Sequence, residues 1–184
     1  MSTAERLGPG TVADRIVEVR RAFDGSFARP VRPPPGEHAD LLAIRAGGRP
    51  YALLLSQAAG LFPDRPVTAL PGPLPALLGV AGFGATIVPV YDLAALLGHP
   101  APDRPGWIIR AAGTPPLALA FHQLDGHVQV PATALVAASA GAGGCLSGLV
   151  TLPDGDRAIV DVPAARAVVH QLTGHRGPGE ERQP

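Results

Sequence analysis

The sequence predicts a mainly β protein built from small antiparallel barrels. Three observations carry this: apolar runs of strand length, Gly- and Pro-rich turns between them at close spacing, and few helices. With 46% hydrophobic residues in 184, the chain has material for a sizeable core. Aromatics are only 4%, so that core must be made of Leu, Val, Ala and Ile.

In order along the chain, "TVADRIVEVRRAFDGSF" (11–27) predicts an amphipathic helix. Val12, Ile16, Val19 and Phe23 fall at spacings that place them on one stripe. "RPVRPPPGEH" (29–38) is a stiff, extended linker. "DLLAIRAGGRPYALLL" then reads as two strands around Gly47-Gly48, a hairpin signal. "PALLGV" (75–80) and "DLAALLG" (92–98) are expected as short helical interruptions. "GWIIRAAGTPPLALAFHQLDGHVQVP" repeats the hairpin scheme around "GTPP", and "LSGLVTLPDGDRAIVDVP" does so around Asp154-Gly155. "VPAARAVVHQL" is a longer terminal helix, and the tail from 173 to 184 lacks the hydrophobicity to order itself.

The stretch "ATIVPVYDLAALLG" raises a local problem. Ile87 to Tyr91 is apolar throughout, which predicts a strand covered on both faces, yet Pro89 has no N–H for a ladder. Its nitrogen must therefore face away from a partner strand. Asp92 is placed to N-cap the helix that follows, and Gly98 suits the position just past its end.

Charge and motifs exclude several functions. All 15 basic residues are arginine and are balanced by 15 acidic ones, so there is no electrostatic footprint for nucleic acid or an anionic membrane. The single cysteine, Cys145, forms no disulfide framework and reads as a small buried hydrophobe. No run reaches the length of a membrane span and no signal peptide opens the chain, so a soluble cytoplasmic protein is expected. His122 and His127 lie five apart, on opposite faces of a strand, and make no metal pair. "GAGG" (141–144) lacks the Lys-Ser/Thr of a phosphate loop, and Ser147 sits in no nucleophile elbow. No cofactor, metal or catalytic residue is predicted.

"LLGVAGFGATIVPVYDLAALLG" (77–98) resembles the signature of CheW-like domains, adaptor modules of bacterial chemosensory arrays. That signature has a Gly-Val pair, an Asn-Leu-Arg-Gly turn, an Ile-Val-Pro-Val strand and Asp-Leu opening a short helix. The resemblance runs over roughly residues 39 to 172, between an N-terminal helix and linker (1–38) and the tail. It implies two small five-stranded SH3-like β-barrels packed over a shared hydrophobic core, and no catalytic activity. It also implies two partners, the regulatory domain of a CheA-type histidine kinase and the tip of a methyl-accepting chemoreceptor.

Three departures from the family pattern stand in or near the surfaces that members use for contact. Gly82-Phe83-Gly84-Ala85 replaces Asn-Leu-Arg-Gly, so Gly84 stands where the family has arginine. Ala58 and Gly60 replace Val and Glu on an earlier strand, and His122 stands at an aspartate position. The candidate partner-binding residues are therefore Ala58, Gly60, Phe83, Gly84 and Ala85, with the helix stripe as a second element. In the sharpest form, an exposed Phe83 replaces a charged contact with an apolar one; in the plainer form Phe83 is core beneath a turn. Two other readings remain: a CheW-like protein serving another signalling or pilus-motility assembly through its N-terminal helix, and a small-ligand protein or enzyme on a β-barrel.

Overall fold

A computed structural model describes residues 38–71, 74–100, 105–138 and 144–174. The stripe Val12, Ile16, Val19 and Phe23 lies outside them, as does most of the tail. Eleven strands follow in chain order: β1 (His38–Ala46), β2 (Arg49–Leu54), β3 (Ala58–Pro63), β4 (Leu77–Phe83), β5 (Thr86–Asp92), β6 (Trp107–Ala111), β7 (Ala118–Phe121), β8 (Gln123–Pro131), β9 (Leu135–Ala137), β10 (Leu146–Leu152) and β11 (Gly155–Val160). Among the described residues two helices accompany them, α1 (Leu93–Leu96) after β5 and α2 (Val162–Gly174) after β11.

The strands form two sheets. One has the order β8-β1-β2-β11-β10-β9, the other β3-β6-β7-β5-β4. In the first, the edge strands β8 and β9 are consecutive in the chain, joined by a single 3-10 turn at Ala132–Ala134, so one bent strand brings the sheet round on itself. In the second, Thr68, just past β3, pairs with Val80 of β4 and joins the two edges. The second barrel (β3 to β7) is inserted between β2 and β8 of the first.

Why the strands read as continuous apolar runs is visible in β1 and β7. Leu41 and Ala43 point into the first barrel, whereas Leu42 and Ile44 join a core shared by both barrels. On β7, Ala118 and Ala120 fill the second barrel while Leu119 and Phe121 face the shared core. Strands buried on both faces show no period-two polarity. Leu93, Val160, Val162 and Val169 complete the shared core, and Cys145 is fully buried within it. Burial pushes the Cys145 thiol upward and the Asp161 carboxylate adds to this, so the thiolate is disfavoured.

Turn chemistry fixes the hairpin registers. Gly47 and Gly48 have φ of 56° and 75° between the paired Ala46 and Arg49, the two positive values of a type I′ turn. A Cβ on Gly47 would lie 2.5 Å from that of His99, whose ring shares a 2.5 Å hydrogen bond with the Tyr51 hydroxyl. The first hairpin is thereby tied to His99, just past the Gly98 that ends α1.

Three local expectations are corrected. "PALLGV" is not helical: Leu77 N–H closes a turn onto the Leu74 carbonyl at 3.0 Å, and Leu77 onward pairs with β5. So short a helical pattern gives too little intrinsic stability to compete with a ladder. The β10–β11 turn is formed by Pro153-Asp154, between paired Leu152 and Gly155, one residue earlier than its Asp-Gly pair suggests. Finally, β5 is covered on both faces only toward its far end: Ile87 is 73% exposed and Pro89 half-buried, whereas Tyr91 on that same face is buried, as are Val88 and Val90 on the other. An apolar run does not say where along its length a face is left bare.

Candidate partner-binding surface

The hairpin β4–β5 carries most of the candidate residues. Phe83 pairs with Thr86, leaving Gly84 and Ala85 as a two-residue turn. Gly84 has φ of 63° and Ala85 has no positive φ, the pattern of a type II′ turn with glycine first. Gly84 and Ala85 are exposed at the tip, and nothing lies within 4 Å of where a Gly84 side chain would begin. Phe83 is only 8% exposed, and its ring belongs to the interior of the second barrel with Val88, Val90 and Ile108. An exposed Phe83 contact is thus corrected: its position on the inward-facing alternation with Ala81 sends the ring inside.

The structure brings Gly60 to the same place. Phe62 folds back over Gly60, where a Cβ would meet its ring at 2.8 Å, and meets Phe83 edge-on with centroids 4.9 Å apart. The missing side chain of Gly60 therefore makes room for a ring of the chain itself. Ala58, across a register shift from Gly60, packs instead against the shared core. Over both rings lies Arg65, its guanidinium carbon 4.8 Å from the Phe83 centroid and 5.1 Å from that of Phe62. Arg65 also donates to the Gly82 carbonyl. Sequence reading did not single it out, since the three partners lie on two strands.

Pro89, Asp92 and Gly98 support this hairpin. Val80, opposite Pro89, uses both backbone groups on Thr68, with bonds of 2.8 and 2.9 Å. Pro89 thus faces it as a non-hydrogen-bonded pair, and the parallel register with β7 begins one residue later, at Val90 with Ala118. β5 lies inside its sheet, yet no ladder asks Pro89 for a donor. Asp92 is buried and its Oδ1 accepts from the Ala95 N–H at 2.9 Å. Burial raises its pKa, and hydrogen bonds from Ala95 and Ala94 oppose the rise. At the other end Gly98 (φ 76°) donates to Ala95 and His99 to Ala94, the paired bonds of a Schellman ending. Asp92→Ala is expected to destabilise the protein by about 1 kcal/mol, with Asp92→Asn retaining most of the cap; urea midpoints of the two variants check this.

A second cluster lies in the first barrel. Arg157 of β11 is only 2% exposed. It donates through Nη1 to the carbonyls of Ile44 (3.1 Å) and Tyr51 (3.4 Å), and through Nη2 to Asp125 (2.8 Å) and Asp154. Asp125 also receives Arg45 and Gln123. Burial opposes the charge of Arg157, but the two carboxylates outweigh it and raise its pKa. Every hydrogen bond links elements of this barrel, so the cluster reads as internal bracing rather than a site. Elsewhere His122 is exposed on the link between β7 and β8, and His127 pairs with Asp40 at 3.0 Å. Among the described residues no group of three or more His, Cys, Asp or Glu converges, and no helix is long and apolar enough to cross a membrane.

No curated protein matches this chain. Among solved structures, the scaffolding protein TtCheW from Thermoanaerobacter tengcongensis has a similar fold. The two superpose with a TM-score of 0.61 at 14% identity, over 67% of this chain and 89% of that one. The sequence matches the CheW-like domain family over residues 40–168, from within β1 to within α2. With that match and with the two-barrel arrangement that the resemblance implies, the chain belongs to the CheW-like domain family.

Proposed function

We propose that this protein is a non-enzymatic adaptor of bacterial chemosensory signalling, joining a CheA-type histidine kinase to chemoreceptors. The family match over residues 40–168 carries the reading. Three further features support it: the buried Asp92 and Arg157 serve as cap and bracing, the thiol is buried with its thiolate disfavoured, and the hairpin tip presents open backbone and an exposed isoleucine. That is a surface for contact rather than chemistry. Contact with the kinase's own CheW-like domain is favoured, since apolar packing between barrels depends less on single charges than contact through the family's arginine, here Gly84.

The test is calorimetry of the full chain against two purified partners, the regulatory domain of a CheA-type kinase and the cytoplasmic tip of a chemoreceptor from the same cell. Saturable binding to the kinase domain is expected, and no heat with either partner overturns the proposal. Because Ala58, Gly60 and Gly84 all depart from the family pattern, a second reading places the protein in another signalling or pilus-motility assembly, recognised through residues 1–30. Deleting those residues would abolish binding in that case and leave it unchanged in the first.

A further inference from the structure

We propose that Arg65 and Ile87 form one interaction surface on the second barrel, fitted to a protein partner that presents a carboxylate beside an apolar side chain. The proposal rests on the adaptor reading, from which it takes a protein partner, and it names the chemistry that recognises it.

Arg65 is fixed before any partner arrives. Two rings lie under its guanidinium and one N–H is committed to Gly82. The Gly82 carbonyl points outward because Gly82 pairs with Ile87 two residues along from the non-hydrogen-bonded Val80–Pro89 pair. Arg65 therefore supplies the donor that a further strand would have given. A guanidinium has five donors in a fixed fork, and no described carboxylate forms an ion pair with Arg65. Holding the side chain in place lowers the ordering entropy that binding must overcome. A carboxylate meeting the free edge of the fork gains charge-assisted, bidentate bonds.

The surroundings supply the apolar half. Beside Arg65 is a cleft of about 200 Å3 lined also by Pro66, Val67, Leu78 and Pro105. Across Gly82 stands Ile87, the most exposed large hydrophobic among the described residues. Gly82 puts no side chain between them, and nothing lies within 4 Å of its missing Cβ. A cation, a bare strip of backbone and an apolar knob thus lie within one interface patch.

Full-length Arg65→Glu, Arg65→Lys and Ile87→Asp are compared with the parent by calorimetry against the kinase regulatory domain and the receptor tip, at low and high salt. Arg65→Glu is expected to weaken binding to the kinase regulatory domain about tenfold or more, and Arg65→Lys several-fold through loss of the fork. Ile87→Asp should also weaken it about tenfold, with an unchanged melting temperature because the residue is so exposed. The salt dependence seen with the parent should shrink in Arg65→Glu. If the parent binds and both Arg65→Glu and Ile87→Asp bind equally well, this surface is wrong and the adaptor reading stands. If Arg65→Glu weakens binding only in step with a lowered melting temperature while Ile87→Asp has no effect, Arg65 is a brace and the surface is again wrong. If the parent binds neither partner, the adaptor reading and the surface fall together.

Discussion

Asp125→Ala is expected to lower the unfolding free energy by about 2 kcal/mol, and Arg157→Met added to it to cost little more. Removing one partner of a fully buried ion pair costs about 3–5 kcal/mol because the other charge is left uncompensated. Here the loss is smaller, since Asp125 is 17% exposed and Arg157 keeps Asp154 and two carbonyls. Once Asp125 is gone, methionine removes the charge that needs compensation and keeps much of the apolar stem. Urea unfolding of the two single variants and the double variant measures the coupling. Additive losses would mean that Arg157 and Asp125 do not act together.

The same cluster sets an acid dependence. Burial acts to raise the pKa of Asp125, but the hydrogen bonds and charges of Arg157 and Arg45 hold it below its ordinary value of 3.8. A carboxyl with a lowered folded pKa contributes fully above the unfolded value and loses the contribution as pH falls through the folded one. The gap in stability between the parent and Asp125→Ala should therefore shrink as pH drops below about 3.8. Asp92 works in the opposite sense. Burial raises its folded pKa, so between the ordinary value and the raised one the folded state holds the proton more tightly, and stability rises on acidification through that window. An Asp92→Asn variant should lack that rise.

How much of this was legible in the sequence depends on how local each cause is. The Gly47-Gly48 turn was readable because only glycine takes two consecutive positive φ values without strain. The run in β5 was readable as a strand but not as one left bare at its hairpin end, because Ile87 and Val88 are chemically alike and only the tertiary packing separates them. Arg157 shows a weaker kind of signal. It alternates with Ile159 on the inward face of β11, so period two alone places a guanidinium inside the barrel. Its partners come from β1, β2, β8 and the β10–β11 turn, and no spacing in the chain announces them. Arg65 was hidden for the same reason. Its cradle of Phe62, Phe83 and Gly82 is assembled only when β3 and β4 meet across the seam of the second barrel.

That seam is where a single methyl group should do most damage. Gly79→Ala is expected to destabilise the protein by about 3–5 kcal/mol, the sum of backbone strain and two lost hydrogen bonds. Gly79 has φ of 145°, and its Cβ would lie 2.0 Å from the Thr68 carbonyl oxygen and 2.7 Å from its carbon. Backbone cannot swing aside as the end of a long side chain can, so the 68–69 segment must leave β4. With it go the two bonds between Thr68 and Val80, which among the described residues form the backbone bridge between the chain beyond β3 and β4. Gly84→Ala is the control: its φ is also positive, but its Cβ meets open space, so only about 1 kcal/mol of strain is expected. Hydrogen exchange separates the two effects, since Thr68 and Val80 amides should lose protection in Gly79→Ala and keep it in Gly84→Ala. Equal urea midpoints for the two variants would mean that the second barrel does not depend on this closure.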